Sequence, residues 1–156
     1  MAATLQARVV DAIAAIGLRP DRLCLLLTTF VLTACSPSDQ IEQQSKTAAS
    51  AAQTASLVLG AWAAGAAPST YTSRTLQSVG KALVDAGAQI QSAKSPEPSE
   101  QAGLTAVVGQ LSAAVTRAAT AVQDGNRSEA EQAQQDIQAA TAALNASYAK
   151  HFAPKP

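Results

Sequence analysis

From Ile41 onward, small and apolar residues recur at alternating steps of four and three, and this period constrains the chain more than any other feature. The series Ile41, Ser45, Ala48, Ala52, Ala55, Leu59 and Trp62 keeps one helix face inward. Leu76, Val79, Leu83, Ala86 and Ile90 follow the same rule, as do Leu104, Val108, Leu111, Val115, Ala118 and Val122. Ala130, Ala133, Ile137, Ala140, Leu144 and Ser147 repeat it more weakly. Three turn-forming clusters separate the series: Gly65-Ala66-Ala67-Pro68-Ser69, Ser95-Pro96-Glu97-Pro98-Ser99 and Asp124-Gly125-Asn126-Arg127-Ser128. Helices of similar length joined by short loops favour antiparallel neighbours, so the expected fold is all-α, an antiparallel up-down four-helix bundle. Ser128 and Glu131 have capping-box spacing at the start of the fourth helix. Pro68, Pro96 and Pro98 suit first-turn positions that need no amide donor. Gly125 and Asn126 are expected to end the third helix in left-handed conformation.

The core of such a bundle is thin. Apolar residues make up 47% of the 156, but 37 of them are alanine, and large apolar side chains after Cys35 number about 21. A methyl group contributes little at about 25 cal/mol per Å² buried. Close helix approach must compensate, and Gly80 and Gly87, seven residues apart on one flank of the second series, mark where it is expected. A mid-helix glycine costs about 1 kcal/mol against alanine; the ordinary alternative is a coding bias toward alanine and glycine. A partner or an oligomer is expected to complete the fold. Aromatics at 3% and a single Met disfavour a deep ligand pocket. Eleven basic against eleven acidic residues leave no field to draw nucleic acid.

Residues 1–34 read as an address. Leu23 to Ala34 is an uncharged run, LCLLLTTFVLTA, preceded by Arg19 and Arg22, the layout of a signal-peptide apolar region behind a basic flank. As a helix it spans about 18 Å, short of the hydrocarbon core of about 30 Å. Its end, Leu32-Thr33-Ala34-Cys35, resembles the lipobox of bacterial lipoproteins. That resemblance implies cleavage before Cys35 by the lipoprotein signal peptidase, a diacylglyceryl thioether on its sulfur and an acylated new N-terminus, leaving a lipid-anchored domain of residues 35–156. Ser36 rather than aspartate follows the cysteine, which by the enteric sorting rule implies the periplasmic leaflet of the outer membrane. The stretch before the apolar run is long for this class and contains Asp11, so the true start is expected downstream, at an alternative codon such as Val9, Val10 or Leu18. Cys24 is discarded with the signal and Cys35 is consumed by lipid, leaving no thiol for a disulfide.

Chemistry is scarce in the rest of the chain. His151, the only histidine, lies near the C-terminus with no cysteine and no carboxylate within a helical turn, so no metal site, no cofactor and no catalytic residue is expected. No G-x-S-x-G elbow occurs. Glu129, Glu131 and Asp136 complement a helix N-terminus rather than form a catalytic pair. Ser78-Val79-Gly80-Lys81-Ala82 lacks both the hydroxyl and the first glycine of a phosphate loop, and Asn145-Ala146-Ser147 is a chance triplet within a helix.

Leu57-Val58-Leu59-Gly60-Ala61-Trp62 is the densest apolar run of the domain. Trp62 is expected to anchor one end of the core with Tyr71 closing over it. The competing reading makes Val58, Trp62 and Tyr71, with the Gly80/Gly87 flank, an exposed recognition patch. Leu57, Val58 and Leu59 cannot all face one interior line, so one belongs at a flank or interface. Gln43, Gln44, Gln132, Gln134, Gln135 and Gln138 read as solvated faces. The function expected is that of a non-catalytic interaction or accessory factor at the cell envelope, held to the membrane through Cys35 and working with a protein partner. One rival is a carrier or sensor of a small ligand or metal between the helices. The other, a lipoprotein linked to the wall through a terminal lysine, is weakened because Lys155 is penultimate.

Overall fold

The computed structural model describes residues 36–152, except for the side chain of His151; residues 1–34, where a signal segment is expected, Cys35 and Lys155 lie outside the described residues. The described residues belong to the unit Ser36–Pro156. All their regular structure is helical, in four elements: α1 (Pro37–Ala63), α2 (Ser69–Ser92), α3 (Pro98–Gln123) and α4 (Arg127–Phe152).

Local chemistry explains most of the boundaries. The Ser36 hydroxyl accepts from the Asp39 amide at 3.2 Å while the Ser36 amide donates to the Asp39 carboxylate at 3.3 Å, and Pro37 fills the first turn. That reciprocal cap starts α1 directly after Cys35. Helices α1 and α3 both stop on a glycine in left-handed conformation, Gly65 at φ 75° and Gly125 at φ 67°. In each, the next amide reaches back to a carbonyl of the last turn, Ala66 to Ala61 at 2.8 Å and Asn126 to Ala121 at 2.9 Å, the Schellman arrangement.

Three sequence expectations about ends need correction. The fourth helix is capped by Asn126, whose side chain accepts from the Glu129 amide at 3.2 Å and donates to the Glu129 carboxylate at 3.1 Å. The helix therefore starts at Arg127, ahead of the expected Ser128–Glu131 box, because Asn126 lies beside the Gly125 turn and offers the same chemistry sooner. Asn126 itself is not left-handed; Gly125 alone takes that conformation. Of the prolines, Pro98 opens α3, whereas Pro68 is the residue before α2 and Pro96 lies in the α2–α3 loop. That loop is held instead by Gln101, whose side-chain amide donates to the carbonyls of Ile90 and, at 2.7 Å, Ala93. It thereby adds a second donor to each of these carbonyls, Ile90 also accepting from the Ala93 amide at 3.3 Å and Ala93 from the Ser95 amide at 3.1 Å.

The four apolar series meet in one core. Ile41, Leu59, Leu76, Leu83, Ile90, Leu104, Leu111, Ile137 and Leu144 are fully buried, at about 1.5–3 kcal/mol each. Every member of the predicted series is buried except Ser147, which is half-buried. Burial on α3 is wider than its series, adding Ala114, Ala119 and Ala121. Helix α3 packs along both α2 and α4, and its extra alanines are the small surfaces that let two neighbours approach at once. Helix α1 packs against α2 and α4, and its seam with α4 is the loosest between neighbouring helices.

The Gly80/Gly87 flank does face α3. A Cβ at Gly80 would lie 3.7 Å from the Thr116 hydroxyl, and one at Gly87 would lie 3.5 Å from a Val108 methyl. These are ordinary van der Waals distances, so the approach is close but leaves room for alanine.

Candidate functional site

Of the residues singled out as a recognition patch, the structure buries most. Val58 and Trp62 belong to the core, Gly80 is buried against α3 and Gly87 is half-buried there. Tyr71 is 61% exposed. It does not close over Trp62. The indole is covered from α4 instead, with the Arg127 guanidinium carbon 5.7 Å from the ring centroid. The same guanidinium donates to the Ala63 carbonyl at 3.0 Å, placing a cation at the negative end of α1. The indole N–H donates to the Ser69 hydroxyl at 2.9 Å. Tyr71 fails as the cover because it sits in the first turn of α2, where the helix face carrying Thr72, Ser73 and Leu76 turns inward and Tyr71 turns out.

Among the described residues the exposed large apolar side chains are Leu57, Tyr71 and Val84. Leu57, 75% exposed, resolves the conflict in the Leu57-Val58-Leu59 run, since its two neighbours are buried. It borders a cleft of about 530 Å³ along the α1–α4 seam, lined by Ala52, Gln53, Ser56 and Leu57 from α1 and by Gln138, Thr141, Ala142 and Asn145 from α4. The small side chains keep the helices from filling the seam, and the amides of Gln53, Gln138 and Asn145 rim it. Asn145 also lines a smaller cleft of about 170 Å³ with Ser45, Lys46, Ala49, Leu144 and Tyr148. The buried Ser45 hydroxyl has no partner there, and the buried Thr72 hydroxyl has none on α2.

Beyond the smaller cleft the seam is closed by a polar cluster. Glu42 accepts from the Lys46 ammonium at 2.6 Å and from the Tyr148 hydroxyl at 3.2 Å. Tyr148 in turn packs on Phe152, ring centroids 4.7 Å apart. The Lys46 hydrogen bond, helped by that from Tyr148, holds the Glu42 carboxyl below the usual carboxylate range. The same pair raises Lys46, and desolvation followed by the Glu42 bond raises the Tyr148 phenol.

Other candidates are structural. Asp136 pairs with Arg117 at 2.6 Å across the α3–α4 seam, and Glu129 belongs to the Asn126 cap. Among the described residues no three of His, Cys, Asp and Glu gather as metal ligands, and no helix is long and apolar enough to cross a membrane. Gln43, Gln132, Gln135 and Gln138 are exposed, while Gln44 and Gln134 are half-buried. Arg127, Glu42 and Tyr148 escaped sequence reasoning because no local pattern links residues 64 or 106 positions apart. Leu57 carried a signal, since three consecutive large apolar residues cannot share one helix face. Against known protein families, curated proteins and solved structures, the chain matches none.

Proposed function

We propose that this is a small lipid-anchored protein of the bacterial envelope, held at the periplasmic leaflet of the outer membrane and acting as a non-catalytic interaction or accessory factor. The lipobox-like Leu32-Thr33-Ala34-Cys35 supports the anchor, and α1 starting at its Ser36 cap supports a domain that begins where cleavage would leave it. The single observation carrying the interaction reading is Leu57, an aliphatic side chain left in solvent beside an amide-rimmed cleft at the loosest seam. An apolar anchor ringed by hydrogen-bonding groups is the layout of a protein-recognition spot.

The arrangement proposed for the domain is antiparallel and up-down. Arg127 at the start of α4 on Ala63 at the end of α1, and Tyr148 near the end of α4 on Glu42 near the start of α1, support opposed directions for that pair. Gly80 beside Val115 and Gly87 beside Val108 support the same for α2 and α3.

The test is photocrosslinking in living cells from position 57, with exposed Gln110 on α3 as control. A discrete adduct from position 57, absent from 110 and lost in Cys35→Ser, is the expected result. Equal labelling from both positions, or an unchanged adduct in Cys35→Ser, overturns the reading. A second reading, a carrier of a small polar ligand in the α1–α4 seam, rests on the unpartnered Ser45 hydroxyl beside its cleft. It predicts that Ser45→Ala abolishes ligand-induced thermal stabilisation while the adduct from position 57 persists.

A further inference from the structure

The helical domain has no linker on its anchored side. The Ser36 side chain already caps α1 and Pro37 is its first helical residue, so one residue separates Cys35 from a helix that runs the length of the core. A flexible tether lets a domain wander by about 5–6 Å times the square root of its residue number. With one capped residue in between, that freedom is no more than about one turn of helix. We propose, resting on the lipoprotein reading of Cys35, that the domain stands end-on upon the phospholipid headgroups. The end that carries Ser36, Glu42, Tyr148 and Phe152 meets the lipid, and the end that carries Trp62, Ser69 and Arg127 is held away from it.

Three features of the anchored end fit a lipid surface. The chain returns to it, because Tyr148 of α4 donates to Glu42 of α1 and fixes the last turn of α4 beside the first turns of α1. That last turn carries the Tyr148–Phe152 pair, half-buried rings whose apolar bodies and phenolic tip suit the headgroup layer. Lys150 is exposed in the same turn and can reach lipid phosphates. On the other side of α1, Gln43 and Lys46 share a groove with Ala82, so α2 runs on from there toward the anchored end and brings exposed Lys94 in its loop. The opposite end, which carries exposed Tyr71 in the first turn of α2, is set apart by its distance along α1 from Cys35 and is closed by Arg127 and two glycine turns. With α1 at 27 residues and a rise of about 1.5 Å per residue, that end stands about 40 Å from the headgroups. Leu57 and its cleft then sit well above the bilayer, where a partner can reach them.

Trp62 is the only tryptophan, so depth can be read directly. Protein purified from membranes with its lipid intact is reconstituted into phosphatidylethanolamine–phosphatidylglycerol vesicles containing spin-labelled phosphatidylcholine. Emission from Trp62 is expected to be nearly unquenched, and the Trp62→Phe/Phe152→Trp double variant several-fold more strongly quenched. Because removal of the indole can weaken the fold, Lys150→Cys and Asp124→Cys are labelled with a polarity-sensitive dye in the Trp62 background. A blue shift on vesicles at 150 and none at 124 is expected. Equal quenching or equal shifts at the two ends, in protein that carries lipid and floats with vesicles, overturn the end-on arrangement alone. A Cys35 found without lipid by mass spectrometry overturns the arrangement and the anchor together.

Discussion

At the end carrying Trp62, a buried indole is closed by the Ser69 hydroxyl, by the Arg127 guanidinium on an α1 carbonyl and by two glycine turns. At the end carrying Ser36, contacts run between the Glu42 carboxylate, the Lys46 ammonium and the Tyr148 phenol, largely in solvent. The first set combines apolar burial with hydrogen bonds to groups that do not titrate. The second consists of exposed ionisable pairs, each worth little in water. Both ends share the buried core, with Ile41, Ile90 and Leu104 at the Ser36 end, so the contrast lies in the polar contacts that close them, firmer at the Trp62 end and more easily loosened by pH at the Ser36 end.

The strongest way to break that contrast is Trp62→Ala, which removes the largest buried side chain of its end and is expected to cost about 3–5 kcal/mol in urea unfolding. Caps rank next. Asn126→Ala and Ser36→Ala are each expected to cost about 1 kcal/mol, and a much larger loss at Ser36 than at Asn126 would reverse the ranking of the two ends. Arg127→Ala gives up a cation over the indole and a charged donor to Ala63, about 1 kcal/mol in total. Lysine there is expected to recover only part of it, lacking the planar fork that serves both contacts.

Between the ends, Gly80→Ala and Gly87→Ala should stabilise by up to about 1 kcal/mol each, because the added methyl meets α3 at ordinary contact distance and the helix gains propensity. A lower thermal midpoint in either variant would show that the α2–α3 seam has no such room. The smallest effect is the pH response of the Ser36 end. Glu42 is lowered in the folded state, so its contribution is present above its ordinary value of 4.5 and lost as pH falls through the lower folded value. Tyr148 is raised, so its contribution is complete below 10.0 and lost as pH rises through the higher folded value. Tyr148→Phe should flatten the alkaline decline of the thermal midpoint.

Much of the fold was legible because helical burial is periodic over three or four residues. The series from Ile41 to Trp62 and from Leu104 to Val122 needed no knowledge of their neighbours. Ala119 and Ala121 were illegible for the opposite reason. Alanine is at ease in water or in a core, and only two flanking helices placed these methyls inside. The chemistry at Ser36 and Asp39 was present in the sequence but overlooked beside the more obvious spacing at Ser128 and Glu131. At the candidate site, the conflict within Leu57-Val58-Leu59 showed that one residue must be expelled, without showing which.

What the sequence determined by itself is local: four helices, the turns at Gly65 and Gly125, and the inward face of each helix, all set by contacts within about one turn. What tertiary structure decided is which partners meet. Arg127 rather than Tyr71 covers Trp62, Tyr148 closes on Glu42 across 106 residues, and the α1–α4 seam stays open beside Leu57. These outcomes depend on how four alanine-rich surfaces share one core. A methyl face packs against many neighbours with similar energy, so the few large side chains and the loop lengths settle which seams close.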